Sequence, residues 1–134
     1  VFDLHYTEKL KAWKEFRDTL ETSPDPLNDV AVFWAQAPFV SKYLDPYNPK
    51  DWPDPWRLIM DNRFCDLAIA LGMCYTLQLT SRFKESKYEI HMSMSPSERR
   101  YNLVVDNQAV LNLDYREVST IDKLPSNSIK IWSI

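Results

Sequence analysis

Cys65 is the side chain with the most chemistry to offer. The chain has two cysteines, Cys65 and Cys74, and two histidines, His5 and His91. Asn62 reads as the N-cap of a helix over residues 63–73, which places Cys65 in its first turn. Free backbone N–H groups and the helix dipole there favour a thiolate, and a thiolate with a base beside it is a nucleophile. The competing expectation is structural, because unpaired cysteine is among the most buried residue types and packs as a small hydrophobe. His5 lies before or within the first predicted helix. His91 lies on a predicted strand, on the face opposite Tyr88, Ile90, Met92 and Met94, and reaches Cys65 only if that face lines a cleft.

Other chemistries find less support. Cys65 and Cys74 are nine positions apart, which is roughly 13 Å along a helix and too far for a disulfide. Two cysteines are also too few for a disulfide scaffold of this size, so reduced thiols and a cytosolic setting are expected. No paired spacing such as C-x-x-C or H-E-x-x-H supplies a zinc site, and no metal is expected. Asp45, Asp51 and Asp54 could pair as glycosidase carboxylates, yet Asp45 and Asp54 each precede a proline, where turns and caps explain them. The only glycine is Gly72. Phosphate-cradling loops need several, so no nucleotide cofactor is expected, nor any other. A net charge of −3 and a pI near 5.3 disfavour nucleic acid as partner, the one short basic cluster being Arg99-Arg100 with Lys84 and Lys87. No apolar run approaches the ~18–20 residues that span a bilayer, and Val1-Phe2-Asp3-Leu4-His5 lacks the pattern of a signal peptide.

The elements that must position these residues follow from periodicity. The 134 residues suit one domain with one core. Tyr6, Leu10, Trp13, Phe16 and Leu20 recur at helical spacing, and Thr22-Ser23-Pro24 ends that helix. Asp25-Pro26 caps and opens a second, with Leu27, Val30, Phe33, Trp34 and Ala37 inward and Pro38 as the stop. Residues 38–56 interleave aromatic residues with Pro38, Pro46, Pro49, Pro53 and Pro55. Proline removes donors and fixes φ, so this is a rigid strap over the core. Asp54-Pro55 opens a short helix from Trp56 to Met60, and the helix after it, apolar on every side, is the buried centre of the fold. Alternation then predicts strands from Tyr75 to Thr80, Tyr88 to Met94, Tyr101 to Asp106, Ala109 to Asp114 and Ile129 to Trp132. Turns fall at Ser95–Glu98 and Asp106–Gln108, and residues 115–127 read as loop or short helix. The fold class is therefore α+β: N-terminal helices around a buried central helix, followed by a small antiparallel sheet.

One stretch resembles the transglutaminase-like cysteine fold. Asp54-Pro55-Trp56-Arg57-Leu58, Asn62-Arg63-Phe64-Cys65-Asp66-Leu67-Ala68 and Leu71-Gly72-Met73 look like the family's short helix, cysteine-bearing buried helix and Leu-Gly-apolar exit. The strands at Tyr101–Asp106 and Val110–Asp114 look similar in layout to those carrying its histidine and aspartate. The resemblance implies Cys65 as nucleophile and Asp114 as the orienting acid. Tyr101 or Asn102 stands where the family has histidine, and His91 is one strand earlier. The strap, from Tyr43-Leu44-Asp45-Pro46-Tyr47 to Trp52-Pro53-Asp54-Pro55-Trp56, also resembles small uncharacterised proteins of T4-like tailed phages, implying a virion or accessory protein located in the host cytoplasm or the virion. Missing the histidine, the chain is expected to be a non-catalytic interaction module. Tyr43, Tyr47, Trp52 and Trp56 would then meet a protein partner or a second copy. The alternative is a cysteine-dependent acyl-transfer enzyme using Cys65, His91 and Asp114.

Overall fold

A computed structural model describes residues 1–134. Helix α1 (Tyr6–Leu20) turns Trp13 and Leu20 inward. It also buries two cations on the same face. Lys9 donates from Nζ to the Ile59 carbonyl at 2.9 Å, within the last turn of α3 (Pro55–Asp61), where the helix dipole favours a cation. The Arg17 guanidinium lies 4.5 Å from the Trp13 ring centroid. Helix α2 (Pro26–Trp34) begins at the expected proline and ends ahead of Pro38. Helix α3 is capped by Asp54, whose Oδ1 accepts from the Arg57 backbone N–H at 2.8 Å.

Asn62 closes α3 rather than opening the next helix. Its φ of 51° is the left-handed conformation that asparagine tolerates at helix C-termini. Helix α4 (Asp66–Gln78) starts later than expected and has Cys65 as its N-cap residue. It also continues through Tyr75–Gln78, where the sequence predicts the start of a strand. Gly72 reads as a helix stop, but it serves a close approach instead. A Cβ on Gly72 would lie 2.3 Å from Cη2 of Trp34, so only glycine lets the α2 tryptophan lie flat on α4. One turn later, the Thr76 hydroxyl accepts from Nε1 of Trp13 at 3.0 Å and Nε1 of Trp34 at 2.9 Å. It donates to the Gly72 carbonyl at 2.7 Å. That hydroxyl thus has its full complement of partners in the dry core.

The sheet has five antiparallel strands in the order β4-β3-β2-β1-β5. They are β1 (Tyr88–Met94), β2 (Arg99–Val105), β3 (Ala109–Leu111), β4 (Ser119–Thr120) and β5 (Ser128–Ser133). Tyr88, Ile90, Met92, Tyr101, Leu103, Val105, Leu111 and Trp132 join the buried cluster centred on α4, chiefly through β2. By the two-residue period of a strand, His91, Ser93, Asn102, Val104 and Val110 point to the other face, and all five are buried. The connection 121–127 links β4 on one edge to β5 on the other, a distance of about 19 Å across four strand spacings.

Candidate functional site

The N-terminus of α4 is where reactive groups, strap and sheet meet. Cys65 is buried and makes no capping hydrogen bond. It borders a cleft of about 540 Å³ whose walls include Ser41, Tyr43, Asp45, Arg99 and Tyr101. Tyr101 lines the same cleft. Burial raises the Tyr101 pKa, Arg99 opposes this through a hydrogen bond, and the nearby Cys65 and Tyr47 push it further up. At neutral pH Tyr101 is therefore a neutral phenol, able to donate a hydrogen bond and poorly suited to take a proton from a thiol.

Asp66 fastens this end of the helix to the sheet. Its Oδ2 accepts from the Tyr101 backbone N–H at 2.8 Å and from Arg100 Nε at 3.2 Å. Its Oδ1 accepts from Asn112 Nδ2 at 3.1 Å. Asn112 sits in the left-handed region at φ 61° and also donates from Nδ2 to the Tyr101 carbonyl at 2.8 Å. The Asn112 carbonyl in turn accepts from Asn102 Nδ2 at 2.9 Å and from the Arg100 guanidinium at 3.2 Å. A carboxylate in the first turn of a helix is favoured by the dipole. Sequence reasoning did not single out Asp66, Asn102 or Asn112, and read Arg100 only as part of a basic cluster. The partners are 35 and 46 residues away from Asp66, so no local pattern announces them.

The three residues of the enzyme alternative do not converge. Ile90 and Met92 face the core that holds Cys65, and His91 between them faces the other way. The sheet itself separates imidazole from thiol. His91 Nε2 lies 3.0 Å from Glu89 Oε1, and its buried Nδ1 has no partner. Asp114 borders a second cleft of about 350 Å³, beyond Asp66, Arg100 and Asn112, and its Oδ2 accepts from the Ser119 hydroxyl at 3.2 Å. His5 is exposed ahead of α1. Cys74 is wholly buried within α4, and burial drives its thiol pKa far up. Nowhere do three histidine, cysteine or carboxylate side chains gather as a metal ion would require. No helix is long and apolar enough to cross a membrane.

The strap divides into two kinds of aromatic residue. Tyr43 donates its hydroxyl to Asp61 Oδ2, and burial followed by that carboxylate pushes its pKa up to about 12. Trp52 donates from Nε1 to the Asp45 carbonyl at 2.8 Å and packs edge-on against Trp132 at 5.4 Å. These two hold the strap down. Tyr47 and Trp56 are 55% and 44% exposed. The Tyr47 ring has the Arg99 guanidinium at 5.3 Å and Lys130 Nζ at 5.4 Å. Trp56 leans on Trp13 at 5.9 Å, beside Arg17. Phe39, 61% exposed between the two clefts, joins them as an outward aromatic residue. Compared with known proteins, the chain matches no family model, no curated protein and no solved structure.

Proposed function

We propose that the chain is a non-catalytic protein-interaction module that meets its partner through the outward aromatic residues of the strap. The observation that carries this reading is the neighbour of Cys65. The thiol shares its cleft with a neutral phenol, Tyr101, and a sheet stands between it and His91. Cysteine acyl transfer of the Cys-His kind needs an imidazole at hydrogen-bond distance, and no histidine lines the cleft. The exposed rings of Phe39, Tyr47 and Trp56 are the residue types that anchor interfaces. The likeness of the strap to proteins of T4-like tailed phages makes a virion or accessory role the setting of this reading.

Alkylation of the folded protein by iodoacetamide, followed for Cys65 and Cys74 separately by mass spectrometry, tests it. Both thiols should react only as the chain unfolds. A Cys65 that reacts in the folded state faster than a free thiol at neutral pH would sink the non-catalytic reading. For the interaction half, a benzophenone side chain in place of Tyr47 should cross-link to another polypeptide, while the same group at Glu15 on the exposed face of α1 should not.

A further inference from the structure

Strand β5 is the last strand on its side of the sheet. In an antiparallel pair, residues alternate between exchanging both backbone bonds and pointing them away. The Ile134 N–H donates to the Tyr88 carbonyl at 3.0 Å, which sets the phase. Trp132 and Lys130, opposite Ile90 and Met92, turn their backbone groups to β1. Ile131 and Ser133 turn theirs outward, and no other segment of the chain bonds to them. Such a row of free donors and acceptors is a template for another strand.

The side chains say what kind of strand. Ile131 lies on the outer face at 50% exposure, and Ile129, at the bulge where the pairing with β1 shifts register, is 54% exposed. Lys130 lies on the helix-side face, with Nζ 5.4 Å from the Tyr47 centroid and 5.5 Å from that of Trp132. Arg99 shares the Tyr47 ring. Neither Arg99 nor Lys130 forms an ion pair within the chain. The edge therefore offers aliphatic contact on one face and unneutralised positive charge on the other.

We propose that β5 takes up an extended segment of a partner protein as a sixth strand, one whose alternate residues are aliphatic and acidic. The aliphatic residues would pack beside Ile129 and Ile131, and the carboxylates would meet Lys130 and Arg99. A second copy of the chain fits less well, because pairing β5 with itself would bring two Lys130–Arg99 sets onto one sheet face, and like charges across a strand pair destabilise it. This inference rests on the interaction reading above and gives it a partner class, with Tyr47 as the junction between strap and edge.

The probe is a fluorescein-labelled octapeptide of alternating valine and glutamate, titrated with the full chain by fluorescence anisotropy, against a valine–lysine octapeptide. Saturable binding of the acidic peptide is expected, at least tenfold tighter than the basic one and weakened by salt. Ile131→Pro removes an outward N–H while leaving the bonds to β1 in place, and should weaken binding tenfold or more. Lys130→Glu, which leaves the backbone untouched, should do the same. Circular dichroism checks that each variant keeps its fold. Absence of binding, or equal binding of both peptides, overturns the proposal. So does a wild-type dimer in sedimentation velocity that Ile131→Pro dissociates, because the occupant is then a second copy. If Cys65 stays inert while no peptide binds, the edge proposal fails alone. A reactive Cys65 brings down the non-catalytic reading whatever the peptides do.

Discussion

The two faces of the sheet differ in the polar clusters they bury. On the helix side, Asp66 meets three donors, and the Thr76 hydroxyl meets two indoles and a carbonyl. On the outer side, His91 Nδ1 and Asn102 Oδ1 are buried with no partner, although the two residues are cross-strand neighbours. An unpaired buried polar atom costs more than a typical hydrogen bond gains. The helix side also leaves Trp132 Nε1 and Arg17 Nε without partners, so what sets it apart is the Asp66 and Thr76 clusters, which have no counterpart on the outer side. Both clusters are built on α4, Asp66 at its first turn and Thr76 near its end.

Asp66→Ala should have the largest effect. It strips three donors of their acceptor, two of them in charge-assisted or backbone bonds, and should cost roughly 3 kcal/mol by urea denaturation. Next comes Thr76→Val, which keeps the side chain's shape and leaves two indole N–H groups dry, for a loss of about 2 kcal/mol. A wild-type-like midpoint for either variant would break the comparison. The third prediction concerns alkali. Tyr43 and Tyr75 each have a pKa raised to about 12, with burial the leading cause. A phenol whose folded pKa lies above its unfolded one contributes fully below the unfolded value, and that contribution is lost as pH rises. Stability should therefore fall between pH ~10 and about 12. Tyr43→Phe should flatten that fall in denaturation series at stepped pH. The smallest change is expected from His91→Leu, which removes a half-satisfied imidazole and leaves Glu89 to water. A shift within about 1 kcal/mol in either direction is the expectation, and a loss as large as that of Asp66→Ala would show that the outer face is a structural polar core after all.

Much of the fold is legible in local pattern. The first two helices announce themselves through apolar spacing and proline, and the strands through alternation around Tyr88–Met94 and Tyr101–Val105. Residues 75–78 carry no helical signal because a helix buried on all sides has no period, and Gly72 just before them serves Trp34 rather than a turn. The start of α4 was placed too early because asparagine suits both ends of a helix, and only its backbone conformation decides which. At the site, Cys65 could be found from sequence by its residue type and its place beside a helix start. The Asp66 network could not, because its members lie on separate strands joined only by folding. The strap was read as one surface, yet hydrogen bonds to Asp61 and Asp45 turn Tyr43 and Trp52 inward and leave Tyr47 and Trp56 outside.

The connection 121–127 has a consequence for the order of assembly. Strands β1 to β3 are joined by short turns and can form as a meander from neighbouring residues, whereas β5 follows β4 in the chain yet pairs with β1 on the far edge. Closing such a loop is entropically costly until the target edge exists, so β5 is expected to dock last, carrying Trp132 into place as a latch. A single proteolytic cut in the connection would turn that latch into a separate peptide, held only as tightly as its concentration allows. The chain would then divide into a receiving body and a donated strand, a ready-made pair for fragment complementation.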